Sequence, residues 1–125
     1  MSSGPAPGFE QYPNHSVDIA PEPRLVVARV SGRELARSTA AFIVQESRYP
    51  PVWYLPREDV DTDCLSPSET TTYCPFKGTA SYFHITAAGE QLADAVWSYE
   101  TPFDECAPLA GYVSFYADRV DIQVG

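Results

Sequence analysis

Residues able to do chemistry concentrate between positions 50 and 82. Pro50-Pro51-Val52-Trp53-Tyr54-Leu55-Pro56-Arg57-Glu58-Asp59-Val60 leads through a polar link into Thr72-Tyr73-Cys74-Pro75-Phe76-Lys77-Gly78 and then Ala80-Ser81-Tyr82. Cys74 precedes a proline turn, and the chain's one lysine lies three residues on, close enough to lower a thiol pKa if both enter one cleft. Cys74 is therefore a candidate nucleophile, weighed against the plainer role of a small buried residue that fixes a turn. Lys77 is a candidate anchor for a carboxylate or phosphate, or a desolvated amine; alternatively it pairs with one of the 17 acidic residues. Its ammonium is expected to point inward, at a ligand anion or at a carboxylate such as Glu46, because burying that charge unpaired is expensive. Arg57, beside Glu58 and Asp59, offers a planar fork for an anion or else a structural ion pair. Trp53, Tyr54, Tyr82, Trp97, Tyr99 and Tyr116 have polar tips that need partners when buried. A ligand would supply such partners; the alternative is an aromatic-rich β core. The ligand-binding candidates are Tyr54, Arg57, Cys74, Lys77, Tyr82, Trp97, Tyr99 and Tyr116, and the catalytic candidates are Cys74 and Lys77.

No metal or cofactor is expected. Cys64, Cys74 and Cys106, with His15 and His84, supply no ligand pair at zinc spacing, so the purified protein should hold no stoichiometric zinc. Asp59, Asp61 and Asp63 alternate along one strand-like face, which is read as a polar sheet edge and not as a hard-cation site.

The elements that must position these side chains follow from composition. A chain of 125 residues fits one domain that buries about two thirds of its unfolded surface. Twelve prolines, roughly twice the usual share of about 5%, favour short strands and turns, since each removes a donor and clashes one helical turn back. The net charge of −9 repels phosphate backbones, which excludes nucleic acid as a partner. No apolar run approaches the about 18 residues of a membrane span, and the first twenty residues carry no basic-plus-apolar signal. No membrane partner is expected, and the expected compartment is the cytoplasm. The odd count of three cysteines then reads as reduced thiols.

Along the chain, residues 1–23 with Pro5, Pro7, Pro13, Pro21 and Pro23 read as an N-terminal arm in which Val17-Asp18-Ile19 forms a short edge strand. Residues 24–125 form a single β domain. The run 24–30 returns as 34–38 through Ser31-Gly32, a hairpin signature, and 40–45 continues extended until Tyr49-Pro50-Pro51 breaks it. Gly32-x-x-Leu35-Ala36 recurs as Gly89-x-x-Leu92-Ala93, and Tyr54 to Asp61 is answered by Phe115 to Asp121. We read two related β-units, 24–61 and 81–124, joined by 62–80 as the one long irregular connection; the alternative is that hairpins look alike. Tyr82, His84 and Thr86 share a face opposed by Phe83 and Ile85, and Trp97 and Tyr99 one opposed by Val96 and Ser98. Residues 112–116 and 120–124 read as a final hairpin turned at Ala117-Asp118, and 105–111 as at most a turn or two of helix.

Tyr54-x-Pro56-Arg57-Glu58-Asp59-Val60, Thr72-x-Cys74-Pro75-Phe76-Lys77-Gly78-x-Ala80-Ser81-Tyr82, Ala95-x-Trp97-Ser98-Tyr99 and Gly111-x-Val113-x-Phe115-Tyr116 closely resemble the family known as domain of unknown function 427. The resemblance runs in order and with matching spacing from about Arg24 to Asp121. It implies an all-β, tent-like fold shared with methionine sulfoxide reductase B and with zinc-binding chaperone-like domains, whose paired Cys-x-x-Cys knuckles are absent here. The family carries a nucleotidyltransferase label, but this chain has no Gly-Ser nucleotide motif with paired metal-binding carboxylates. The family pattern has His where this chain has Tyr73 and Tyr112, so no imidazole acid or base is expected at those positions. It has Lys at the place of Lys77.

The expectation is an all-β, single small domain of two hairpin-based units, tent-like or open barrel-like, with little helix. It would bind a small polar or anionic metabolite in an aromatic-lined pocket near Cys74 and Lys77. The alternatives are an enzyme using Cys74 or Lys77, or a structural module that forms a homodimer through an exposed sheet face. Pocket and module part on whether Lys77 and Tyr99 line one cavity.

Overall fold

A computed structural model describes residues 3–125. The β-branched run at Val26 begins the first hairpin, in which β2 (Val26–Val30) turns into β3 (Arg33–Ser38). Ser31 and Gly32 between them have φ of 49° and 82°, the paired positive values of a type I′ turn whose twist matches the flanking strands. Ala88 and Gly89 repeat it, at 52° and 77°, between β7 (Gly78–Ala87) and β8 (Glu90–Ser98). The two Gly-x-x-Leu-Ala segments thus share one turn conformation, and in each hairpin the register then shifts, at Ala28/Arg29 and at Phe83/Ile85. A Cβ added at Gly89 would meet nothing within 4 Å. Gly89→Ala should therefore cost about 1 kcal/mol from the left-handed backbone alone, measured by chemical denaturation, and an unchanged midpoint would refute the turn assignment.

Among the described residues the strands form three open antiparallel sheets and no closed barrel. One has the order β1 (Val17–Glu22), β4 (Ala41–Glu46), β5 (Val52–Tyr54); the second places β10 (Asp121–Val124) beside β2 and β3. The third runs β6 (Leu65–Cys74), β7, β8, β9 (Val113–Phe115). Pro21 and Pro67 lie in β1 and β6, both edge strands, the sheet positions that tolerate a missing N–H. Among the described residues helix is confined to α1 (Gly8–Gln11) and short 3-10 segments at Arg57–Asp59, Thr62–Cys64 and Asp104–Leu109.

Three expectations need correction. The stretch 62–80 is not an irregular link, because Leu65–Cys74 forms β6 against β7. Its Ser, Thr and Glu side chains are mostly exposed, so an edge strand with little buried face left no apolar alternation to read. The final two strands are not a hairpin: β9 pairs with β8 and β10 crosses to β2. The N-terminal arm is draped on the domain along its described length, and its edge strand is β1. β1 pairs with β4 over all six residues, and upstream Ser3 N–H donates to the Pro102 carbonyl and Gly8 N–H to the Pro75 carbonyl, both at 2.9 Å. Finally, Asp59, Asp61 and Asp63 lie on or beside 3-10 turns, with Asp59 bound by the Ser38 hydroxyl and Asp61 by Arg33, each engaged separately.

Both faces of the four-stranded sheet are covered, as the alternation in β7 and β8 requires. Phe83, Ile85 and Val96 pack with Val26, Ala28 and Leu35 in one apolar cluster. Tyr82, Trp97 and Tyr99 pack with Val44 and Tyr54 in the other. Leu55 joins the layers: its N–H donates to the Val113 carbonyl at 2.8 Å and its carbonyl accepts from the Val113 N–H at 2.9 Å. Neighbouring residues of one strand end therefore enter different cores, Tyr54 the second and Leu55 the first.

Candidate functional site

The second cluster does not close completely. Tyr54 at the end of β5, Tyr82 in β7, Trp97 in β8 and Tyr99 and Tyr116 just past β8 and β9 wall a cavity of about 510 Å³, with Val44, Val52 and Tyr49 beside them. Lys77 and Tyr99 line this same cavity. The rings are held in fixed relations: Tyr54 and Trp97 meet edge to face at 6.0 Å, and Trp97 packs 4.5 Å from Tyr116. Hydrogen bonds fix their polar tips. Trp97 Nε1–H donates to the Tyr54 hydroxyl at 3.0 Å, and the Tyr82 hydroxyl bonds Thr72 Oγ1 at 2.9 Å and accepts from Tyr116 at 3.4 Å.

Three separate segments bring the titratable groups together. Lys77, in the tight turn between β6 and β7, is 8% exposed, and its ammonium contacts Oε1 of Glu46 at the end of β4. The other Glu46 oxygen binds His15 Nε2 at 2.7 Å. His15 reaches it because Ser16 and Ser47 exchange hydrogen bonds just beyond the β1–β4 ladder, and because its ring stacks on Phe76 at 3.9 Å. Burial pushes the Glu46 carboxyl up, but hydrogen bonds and charge from Lys77, then His15, outweigh it, leaving the group below its ordinary value. Glu46 stays ionised, and the cavity's charges cancel to an ion pair.

The phenols are neutral. Burial drives the Tyr54 and Tyr99 hydroxyls far above the ordinary tyrosine value, and burial with the Tyr82 contact pushes Tyr116 up to about 12. They can donate hydrogen bonds but cannot act as bases near neutral pH. Tyr99 is 7% exposed, and its hydroxyl has no hydrogen-bond partner among the described residues. The Tyr54 hydroxyl accepts from Trp97 and keeps its own proton to donate, and Lys77 has one protein acceptor for three N–H groups. Spare donors therefore converge on one cavity.

Of the residues singled out from sequence, Tyr54, Lys77, Tyr82, Trp97, Tyr99 and Tyr116 share this wall, while Cys74 lines an adjoining cavity that also touches Lys77. Arg57 does not belong. Pro56 and the 3-10 turn carry it to the opposite face of β8, where Nη2 binds Ser98 Oγ at 3.1 Å and Glu100 at 2.5 Å and the guanidinium lies over the Phe83 ring. Tyr73 is 62% exposed and Tyr112 packs on Phe42, so neither replaces an imidazole in the site. His15 was missed as a member. Its strand neighbours pair with β4, but nothing local in the arm's sequence names Glu46 as its partner.

Cys74 is half-buried and its thiol makes no hydrogen bond among the described residues, whereas Cys106 is fully buried under the Phe76 carbonyl and burial pushes its thiol up to about 11. Burial and Asp61 raise Cys64 as well. At neutral pH a thiol reagent should modify Cys74 in the native protein and reach Cys64 and Cys106 only after denaturation; equal rates at all three would contradict this burial order.

Among the described residues no three His, Cys, Asp or Glu side chains gather as a metal site, and no helix is long and apolar enough to cross a membrane. A family model described as a domain of unknown function (DUF427) matches residues 18–125. No curated protein matches the chain.

Proposed function

Because the chain belongs to the DUF427 family, whose description assigns no activity, we propose from the site itself that the domain binds a small molecule through a compact polar or anionic acceptor group in the Tyr- and Trp-walled cavity. The observation that carries this reading is that the Tyr99 hydroxyl, which makes no hydrogen bond among the described residues, lines the same cavity as the under-used donors of Lys77. A carboxylate, phosphate or carbonyl oxygen placed in the cavity would accept from Lys77, Tyr99 and Tyr54 together. The π-faces around it suit a planar or apolar body. Catalysis through Cys74 would need a base, and none bonds its thiol among the described residues; binding needs none.

The test is a metabolite thermal-shift screen, in which a ligand at 100 times its Kd adds about 2.7 kcal/mol of stability. Tyr99→Phe should fold about as stably as the parent, because it breaks no hydrogen bond within the described protein, yet bind the hit about tenfold more weakly. A Tyr99→Phe protein that loses stability but binds normally would show that the hydroxyl serves the fold and overturn the reading.

A further inference from the structure

The polar end of the ligand is described above; the adjoining cavity describes its other end. A space of about 810 Å³ continues from the shared residues Glu46, Lys77, Trp97 and Tyr116. Beyond them its walls include Pro51, Leu55, Phe115, Ile122 and Val124, all apolar and drawn from the ends of β5, β9 and β10, with Val52 at the border of both cavities. From these walls we infer that the ligand is amphipathic: a monocarboxylate, or a close acceptor equivalent, whose head meets Lys77 and Tyr99 and whose unbranched hydrocarbon tail lies against Val52, Phe115, Ile122 and Val124. This rests on the binding reading above and adds the chemical class.

Three observations favour a tail of the same molecule as the occupant. The two cavities share Lys77, so a chain anchored by its head at the ammonium enters the apolar space directly. The space lies within the range of about 300–1,000 Å³ that encloses whole small molecules. The electrostatics also divide the work. With a net charge of −9 and Glu46 already against Lys77, attraction for a bare polyanion is weak, so head contacts set orientation and apolar burial supplies most of the affinity.

The experiment is isothermal titration of the full chain with straight-chain carboxylates from butanoate to dodecanoate, with the alkylammonium of the longest binding tail as a control. Each added methylene should tighten Kd about fourfold, the equivalent of ~0.8 kcal/mol, until the groove is full. The alkylammonium should bind at least tenfold more weakly. Ile122→Glu, on the edge strand β10, should flatten the length dependence and leave the shortest binder unchanged. A spectroscopic readout stands beside it: Trp97 borders both cavities and Trp53 only the apolar one, so in a Trp97→Phe protein an ω-brominated carboxylate should quench the Trp53 fluorescence more strongly than its α-brominated isomer. Affinity independent of chain length, or equal affinity for the ammonium, would overturn the amphipathic class while leaving the polar site standing. Failure of every carboxylate to bind would also overturn it, and the metabolite screen with Tyr99→Phe then decides the polar site separately.

Discussion

Lys77→Met is expected to lose about 3 kcal/mol of stability at neutral pH and to abolish the ligand response. Methionine keeps most of the stem, so the change isolates the charge. It leaves the Glu46 carboxylate, 18% exposed at its side chain, with the hydrogen bond to His15 Nε2 as its remaining side-chain contact. Breaking a buried ion pair from one side costs about 3–5 kcal/mol, because the surviving charge keeps its desolvation penalty; His15 places this case at the low end. The pH dependence gives a second signature. In the parent, Glu46 titrates below its ordinary value, so its contribution is present above the ordinary carboxylate range and is lost as pH falls through the depressed folded value. In the variant burial acts without Lys77, the carboxyl rises, and proton uptake relieves the stranded charge. The gap between the two proteins should therefore be widest near neutrality and narrow as pH is lowered. Lys77→Met with Glu46→Leu should recover much of the loss, since both charges are gone. A single variant as stable as the parent at pH 7, with its ligand response intact, would show that Lys77 does neither job.

Leu55→Ala should cost about 3–4 kcal/mol, read by denaturant midpoint with an unchanged slope. Leu55 is fully buried and sits where β5 meets β9 through the paired backbone bonds with Val113. Its side chain fills the first core, so truncation removes transfer energy and leaves a void held open by backbone on both sides. The contrast with its neighbour is informative. Tyr54, one residue earlier, enters the second core, where its hydroxyl takes the Trp97 N–H. Leu55→Ala should thus weaken the fold and widen the apolar space that Leu55 lines while leaving the hydroxyls of Tyr54 and Tyr99 in place, whereas Tyr99→Phe should spare the fold and remove one of those hydroxyls. A Leu55→Ala loss under about 1 kcal/mol would show that the junction can collapse around the smaller side chain.

Much of the site was legible from residue types. Five aromatics with polar tips and the one lysine were named from the chain, and they share one wall because strand alternation sends Tyr82, Trp97 and Tyr99 to the same side. The two turns were legible for a local reason: Ser31-Gly32 and Ala88-Gly89 must both take positive φ, and a glycine at the second position permits it. Arg57 was misplaced because a proline and a 3-10 turn separate it from Tyr54, and no periodicity survives such a turn.

What the sequence determined by itself was local. It set the all-β class through proline load and β-branched runs, the hairpin turns through their dipeptides, and the membership of the aromatic wall through period-two alternation. Tertiary structure alone decided which distant segments meet. It made the polar stretch Leu65–Cys74 a strand by giving it β7 as a partner, and it sent β10 back to β2 in place of a hairpin with β9. It also brought His15, Glu46 and Lys77 from three segments to one carboxylate. The physical reason is common to all three. An exposed edge strand, a sheet crossover and a charge partner are chosen by the free energy of long-range pairing and desolvation, and those energies depend on neighbours that are remote along the chain.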